Sequence, residues 1–148
     1  MRRTIAGIAF TGLLIMNGCS TPSPNAPIQL DRQAKKFITT PGKSNIYVYR
    51  HETYGGGAGV PLTLDGRPIG TTQWKTYIKV ATNPGTHKIV SHAAVDHSIQ
   101  LKTKANKNYF VWQEIKMGVM EARSKLKQVS TQEGKKGVKQ CTLVQGTK

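Results

Sequence analysis

The chain has 148 residues, with 22 Lys and Arg against 7 Asp and Glu, a formal charge of +15 at pH 7, and only two cysteines. That length allows one domain with one modest core. Two cysteines cannot build a cluster for zinc or iron–sulfur chemistry, and the basic balance favours anionic partners.

Arg2 and Arg3 precede an apolar run from Ile5 to Met16, and Gly18-Cys19-Ser20 follows. A basic start, an apolar core and a small residue before a cysteine read as a secretory signal of the lipoprotein type. The expected signal peptide is 1–18, with Cys19 carrying the lipid (palmitate among its chains). Twelve helical residues cover about 18 Å, too short for a hydrocarbon core of about 30 Å. By the sorting logic of Gram-negative lipoproteins, serine rather than aspartate after Cys19 predicts export to the outer membrane, and the expected place is its periplasmic face. Export removes nucleic acid from the partners and leaves lipid headgroups, lipopolysaccharide and acidic wall polymer. With Cys19 acylated, Cys141 has no partner in the chain and is expected to be buried.

Residues 19–43 read as a lipidated flexible tether, broken by Pro22, Pro24, Pro27 and Pro41. A short helix over 31–37 with Asp31 as its N-cap is the one element expected there. From Ser44 the period changes to two. Asn45–Arg50 is β-branched and aromatic. Val60–Leu64 and Arg67–Thr71 flank Asp65-Gly66, the signature of a type I′ hairpin turn. Trp74, Thr76, Ile78 and Val80 alternate with Lys75, Tyr77 and Lys79, which predicts one apolar and one wet face. Asn83-Pro84-Gly85-Thr86 reads as a type II turn, and Thr86–His92 returns from it. Ile99, Leu101 and Thr103 mark the next strand, Tyr109–Met117 the longest, and Ser124–Val129 a further one. Ser130 with Glu133 three residues on is a capping-box spacing.

Short strands with turns every eight to twelve residues predict an all-β fold, a small antiparallel β-sandwich or partly open barrel over 44–129, between a disordered N-terminal tether and a basic C-terminal helix or tail over 130–148. The expected inward set is Ile46, Val48, Leu62, Ile69, Ile78, Val80, Ile89, Leu101, Phe110 or Val111, and Trp112.

Asn45-Ile46-Tyr47-Val48-Tyr49-Arg50, Leu64-Asp65-Gly66-Arg67-Pro68-Ile69-Gly70, Tyr77, Pro84-Gly85-Thr86-His87 and Asn108-Tyr109-Phe110-Val111 resemble the bacterial lipoproteins that carry domain of unknown function 2846. The Asp-Gly…Gly…Pro-Gly-x-His core is also similar to PEGA-type surface β-domains. The resemblance spans roughly 44–130 and rests on turn chemistry. It implies a lipid-anchored envelope β-sandwich with no established reaction and no catalytic residues to carry over.

Candidate chemistry is sparse. No two of Asp31, Glu52, Asp65, Asp96, Glu114, Glu121 and Glu133 lie close in sequence, so a paired-carboxylate site needs distant residues to converge. His87, His92 and His97 with Asp96 are the one metal-like cluster. His87 and His92 are five apart and face opposite sides of a strand, whereas His92 and His97 flank the turn 93–96. The glycine-rich run 54–59 leads into a strand and lacks the lysine and serine of a phosphate loop. No serine sits in a Gly-x-Ser-x-Gly elbow. Tyr109-Phe110-Val111-Trp112 reads as a core strand or as a stacking platform. Residues 101–148 hold eleven Lys and Arg against three acids. Lys102, Lys104, Lys125, Lys127, Lys135 and Lys136 are the candidate contacts to an anionic polymer.

The expected function is a noncatalytic lipid-anchored envelope module that binds a protein partner or an anionic polymer, without cofactor or metal. The alternatives are an envelope hydrolase or metal-dependent enzyme using His92, Asp96 and His97, and a structural accessory subunit of an envelope assembly.

Overall fold

A computed structural model of the chain describes residues 21–53, 57–117 and 122–147. The fold is organised by β1 (Ser44–Arg50), every residue of which is buried. A strand alternates its side chains between two faces, so a fully buried strand must be covered on both. Ile46 and Val48 point into the interior between two sheets, and Tyr47 and Tyr49 point outward beneath a helical layer.

The remaining elements, in chain order, are α1 (Ile28–Ala34), before β1, then β2 (Val60–Leu64), β3 (Arg67–Thr72), β4 (Thr76–Thr82), β5 (Gly85–Ser91), β6 (His97–Thr103), β7 (Lys107–Met117), β8 (Ala122–Val129), α2 (Thr131–Lys139) and β9 (Thr142–Leu143). The strands form a five-stranded sheet, β8-β7-β1-β4-β9, and a four-stranded sheet, β3-β2-β5-β6. They build an open sandwich rather than a closed barrel. Most neighbours are antiparallel, as the sequence pattern predicts. The exceptions are β1 with β7 and β4 with β9, which pair in parallel. Parallel neighbours need a long crossover. Between β1 and β7 the crossover is made of strands, β2 to β6, rather than of a helix.

The β2–β3 hairpin turns at Asp65 (φ +50°) and Gly66 (φ +79°), the two positive angles of a type I′ turn. Gly85 takes φ +151° as the first residue of β5, paired with Thr103, rather than the smaller positive angle of a type II turn. Ser130 caps α2, its Oγ accepting from the Glu133 N–H at 3.2 Å. The expected N-cap at Asp31 is corrected. Pro27 precedes α1 and Asp31 lies inside it, buried. Its Oδ1 accepts from the Leu143 N–H at 2.8 Å and its Oδ2 binds Lys35 at 2.7 Å, so the carboxylate ties the helix to β9 instead of capping.

The interior core joins both sheets through Ile46, Val48, Leu62, Ile78, Ile89, Leu101, Val111 and Leu126. A second, aromatic core lies outside the five-stranded sheet, where Phe37, Tyr47, Tyr49, Tyr77 and Phe110 meet Ala34, Val138 and Cys141. This layer corrects the wet face expected for β4: Tyr77 is fully buried beneath the helices. Val111 faces the sandwich interior while Phe110 and Trp112 face the helices, Val80 is only partly buried, and Trp74 is exposed.

Two expected segments are also reassigned. The stretch read as a tether is docked from Ser23 on, through bonds to Thr71, Leu143 and Gln145. In the stretch read as a C-terminal helix or tail the helix is present as α2, but the chain beyond it returns as β9 beside β4, and Val144 joins the interior core. Short polar segments rich in proline look the same in sequence whether they float or seal a sheet edge. Residues 1–18, Cys19 and Ser20 lie outside the described residues.

Candidate functional site

The strongest local concentration of polar and aromatic groups follows from the alternation along β1 and β7. On the outer face beyond Tyr49, His51 stacks on Tyr49 (5.6 Å between ring centroids) and on Trp112 (5.1 Å), both at 21°. From β8, Lys127 places its ammonium 4.8 Å from the Trp112 ring centroid. Strand order puts β1 and β8 on either side of β7, so the indole is flanked on both sides. The indole N–H donates to Glu52 Oε1 at 2.7 Å, and Glu52 is buried. Lys127 binds Glu114 at 2.7 Å and holds that carboxyl below its ordinary range. Trp112 is therefore clamped in place, and its ring is not a vacant stacking platform.

Beneath this strip, between the sheets, lies a buried polar chain. Thr72 donates to Gln113, Gln113 Nε2 donates to Ser91 Oγ at 2.7 Å, and Ser124 Oγ donates to Ser91 Oγ at 2.6 Å. It links β3, β7, β5 and β8, satisfying polar groups that would each cost about 1–3 kcal/mol if buried unpaired. Arg50, fully buried, donates from Nη1 to the Ala58 carbonyl at 2.9 Å. Burial pulls its pKa down, opposed by nearby Glu52. Neither Glu52 nor His51 stands out in the sequence. The one available signal was their continuation of the β1 alternation past Arg50.

The histidine cluster divides between two jobs. His92 Nδ1 meets Asp96 Oδ2 at 2.9 Å, and its Nε2 meets Thr63 Oγ1 at 3.1 Å. Carboxylate, imidazole and hydroxyl in that order are the parts of a proton relay. Thr63 stands in the middle of the sheet, since β2 lies between β3 and β5, with the register toward β3 shifting between Leu62 and Thr63. His97 points elsewhere: its Nδ1 accepts from the Leu126 N–H at 3.1 Å, tying β6 to β8. His87 bridges Asp65 and the Asn83 carbonyl. Among the described residues, no three His, Cys, Asp or Glu side chains form a group that could hold a metal ion.

The candidate lysines fall on two opposite faces. Lys102 is exposed on the outer face of β6, and Lys104 in the turn after it. Lys125, Lys127, Lys135 and Lys136 lie on the helix side. Lys127 and Lys135 are engaged with rings, Lys135 at 5.4 Å from Phe37. Lys35 sits 5.8 Å from Tyr77, and Lys79 5.8 Å from Tyr47. Part of the basic composition thus roofs the aromatic layer with alkyl stems and cation–π contacts. Lys102, Lys104, Lys125 and Lys136 remain exposed.

These features define an open β-sandwich with a helical roof and a cationic exterior. The chain belongs to a family described as "Protein of unknown function (DUF2846)", which it matches over residues 40–125. It is also 31% identical over 144 residues to an uncharacterized protein of Haemophilus influenzae, covering 96% of this chain and 83% of that relative. No solved structure matches it.

Proposed function

We propose that this protein is a noncatalytic, lipid-anchored module of the cell envelope that binds an anionic envelope polymer, attached through Cys19 to the periplasmic face of the outer membrane. The observation that carries the reading is how charge is divided. Among the described residues, Asp31, Glu52, Asp65, Asp96 and Glu114 each have a side-chain partner, which leaves Glu133 as the exposed acid on α2. Lys116, Arg123, Lys125, Lys136 and Lys139 stand exposed on the helix-side face or at its edge. A face with surplus positive charge gathers polyanions, and at physiological salt each contact is screened over about 8 Å. The sequence supports the anchor through its basic start, apolar run and Gly18-Cys19 junction.

Cosedimentation of the unlipidated domain with purified cell wall and with lipopolysaccharide, across a salt series, tests the binding. Binding that weakens steeply with salt, and weakens further in Lys125→Glu/Lys136→Glu, is expected. These two lysines are chosen because Lys127 and Lys135 hold the aromatic layer together. No sedimentation even at low salt would reject the polymer and turn the search to a protein partner.

A further inference from the structure

The N-terminal segment is bound to the domain from Ser23 on. The Ser23 N–H donates to the Thr71 carbonyl at 3.3 Å, and Ser23 Oγ accepts from the Thr71 N–H at 2.8 Å. Pro24 accepts from the Gln145 N–H at 2.8 Å, and the Ala26 N–H donates to the Leu143 carbonyl at 2.8 Å. The segment closes the free edge of β3 and leaves no slack after Ser23. Four residue steps separate Cys19 from Ser23, at most about 14 Å of extended chain. Thr21 and Pro22 line a cleft with Pro61, Thr63 and Pro68, so the chain leaves across the outer side of β2, away from the helical roof.

We propose that the outer face of the β3-β2-β5-β6 sheet lies against an anionic lipid surface, with the helical roof turned away from it. This rests on lipid attachment at Cys19. Alternation along β5 and β6 places Lys88, Ser98, Gln100 and Lys102 on that face, all exposed, with Arg67 exposed on the edge strand. The carboxylates on this side are already engaged: Asp65 binds His87 and the Lys88 N–H, and Asp96 binds His92. Lys88, Lys102 and Arg67 outnumber these two carboxylates, so the charge presented to headgroups is positive. From β3 to β6 is three strand spacings, about 14 Å, so the sheet is no wider than the reach of the anchor. A short leash and a cationic face point the same way. The helix-side lysines and the Trp112 strip then face the periplasm, where a polymer can reach them.

The test uses the mature lipidated protein in vesicles of phosphatidylethanolamine and phosphatidylglycerol. A fluorophore is placed at Gln100→Cys on the sheet face or Gln132→Cys on α2, both exposed positions. Cys141 is buried and does not compete for the label. Nitroxide headgroup lipids should quench the Gln100 dye at least about twofold more than the Gln132 dye, because a sheet layer and a helix layer, about 20 Å, separate the faces. Lys88→Glu/Lys102→Glu should narrow that difference, and an unchanged difference would remove charge from the argument. A chain that takes up radiolabelled palmitate yet quenches both dyes equally overturns the orientation and leaves the anchored module standing. A chain that takes up no palmitate overturns both.

Discussion

His87 and Asp65 lock one end of the sandwich: His87 Nδ1 lies 2.7 Å from Asp65 Oδ2 while its Nε2 lies 2.8 Å from the Asn83 carbonyl oxygen. Both ring nitrogens face acceptors, so the imidazolium, which donates from both, fits the site better than either neutral tautomer. Burial of the ring lowers its pKa, but these two bonds outweigh it and leave the value above the ordinary 6.5. The bond to His87 and the Lys88 N–H hold Asp65 below its ordinary 3.8.

The sign of the pH dependence follows. His87 gains protons on folding, so its contribution is complete below pH 6.5 and is lost as pH rises through its higher folded value. Asp65 contributes above pH 3.8 and loses that contribution as pH falls through its lower folded value. The pair is at full strength between those limits. Because Asp65 is half exposed, the effect is on the order of 1 kcal/mol or less. Melting temperatures taken across pH should fall less steeply above pH 6.5 in His87→Gln than in wild type. Parallel curves would show that the bridge does not titrate.

Gly137 on α2 tests the helical roof. Alanine is worth about 0.5–1 kcal/mol over glycine inside a helix, so propensity alone predicts a gain. A Cβ there would collide with the ring of Tyr49, as one at Gly134 would collide with Phe110. Overpacking costs typically about 1–3 kcal/mol. The collision wins: Gly137→Ala should lower stability in denaturant titrations, and an increase would mean that α2 stands further from the sheet.

Cys141 should be inert while the protein is folded. Its thiol is buried, donates to the Arg50 carbonyl at 3.4 Å, and has its pKa pushed up to about 12 by burial. Reactivity requires the thiolate and access to it. Alkylation of the mature protein should therefore follow unfolding, and rapid labelling of the native state would place Cys141 at the surface.

The strands were legible because their cues are local. Asp65-Gly66, Pro84-Gly85 and the alternation in 97–103 each need only a few neighbours to read. The outer aromatic layer was not legible, because Tyr47, Tyr49 and Tyr77 look like ordinary solvent-facing strand tyrosines until two short helices cover them. α1 is seven residues long with no side-chain cap, so propensity gives it little signal. The parallel pairing of β1 with β7 depends on where a chain that leaves at Arg50 returns at Lys107, which no local pattern records. For the sites, sequence located the histidines but not their separation: His92 with Asp96 on one side, His97 bound to the backbone of β8 on the other. Glu52 and His51 were invisible because their partner, Trp112, lies 60 residues away.

Glu52 is the position where a substitution should expose that hidden cluster. Its Oε1 holds the Trp112 indole at 2.7 Å, and its charge raises the pKa of buried Arg50 against the effect of burial. Glu52→Ala removes the acceptor and the charge together. Hydrogen bonds to charged groups contribute about 1.5–3 kcal/mol, so a loss of that order is expected. Glu52→Gln keeps an acceptor for the indole but no charge beside Arg50, and should lose less. The emission of Trp112, isolated in a Trp74→Phe background, should shift to the red in Glu52→Ala as the ring loosens from between His51 and Lys127. The shift in Glu52→Gln should be smaller. Equal stability and unchanged emission in all three chains would show that Trp112 is held by its ring contacts alone.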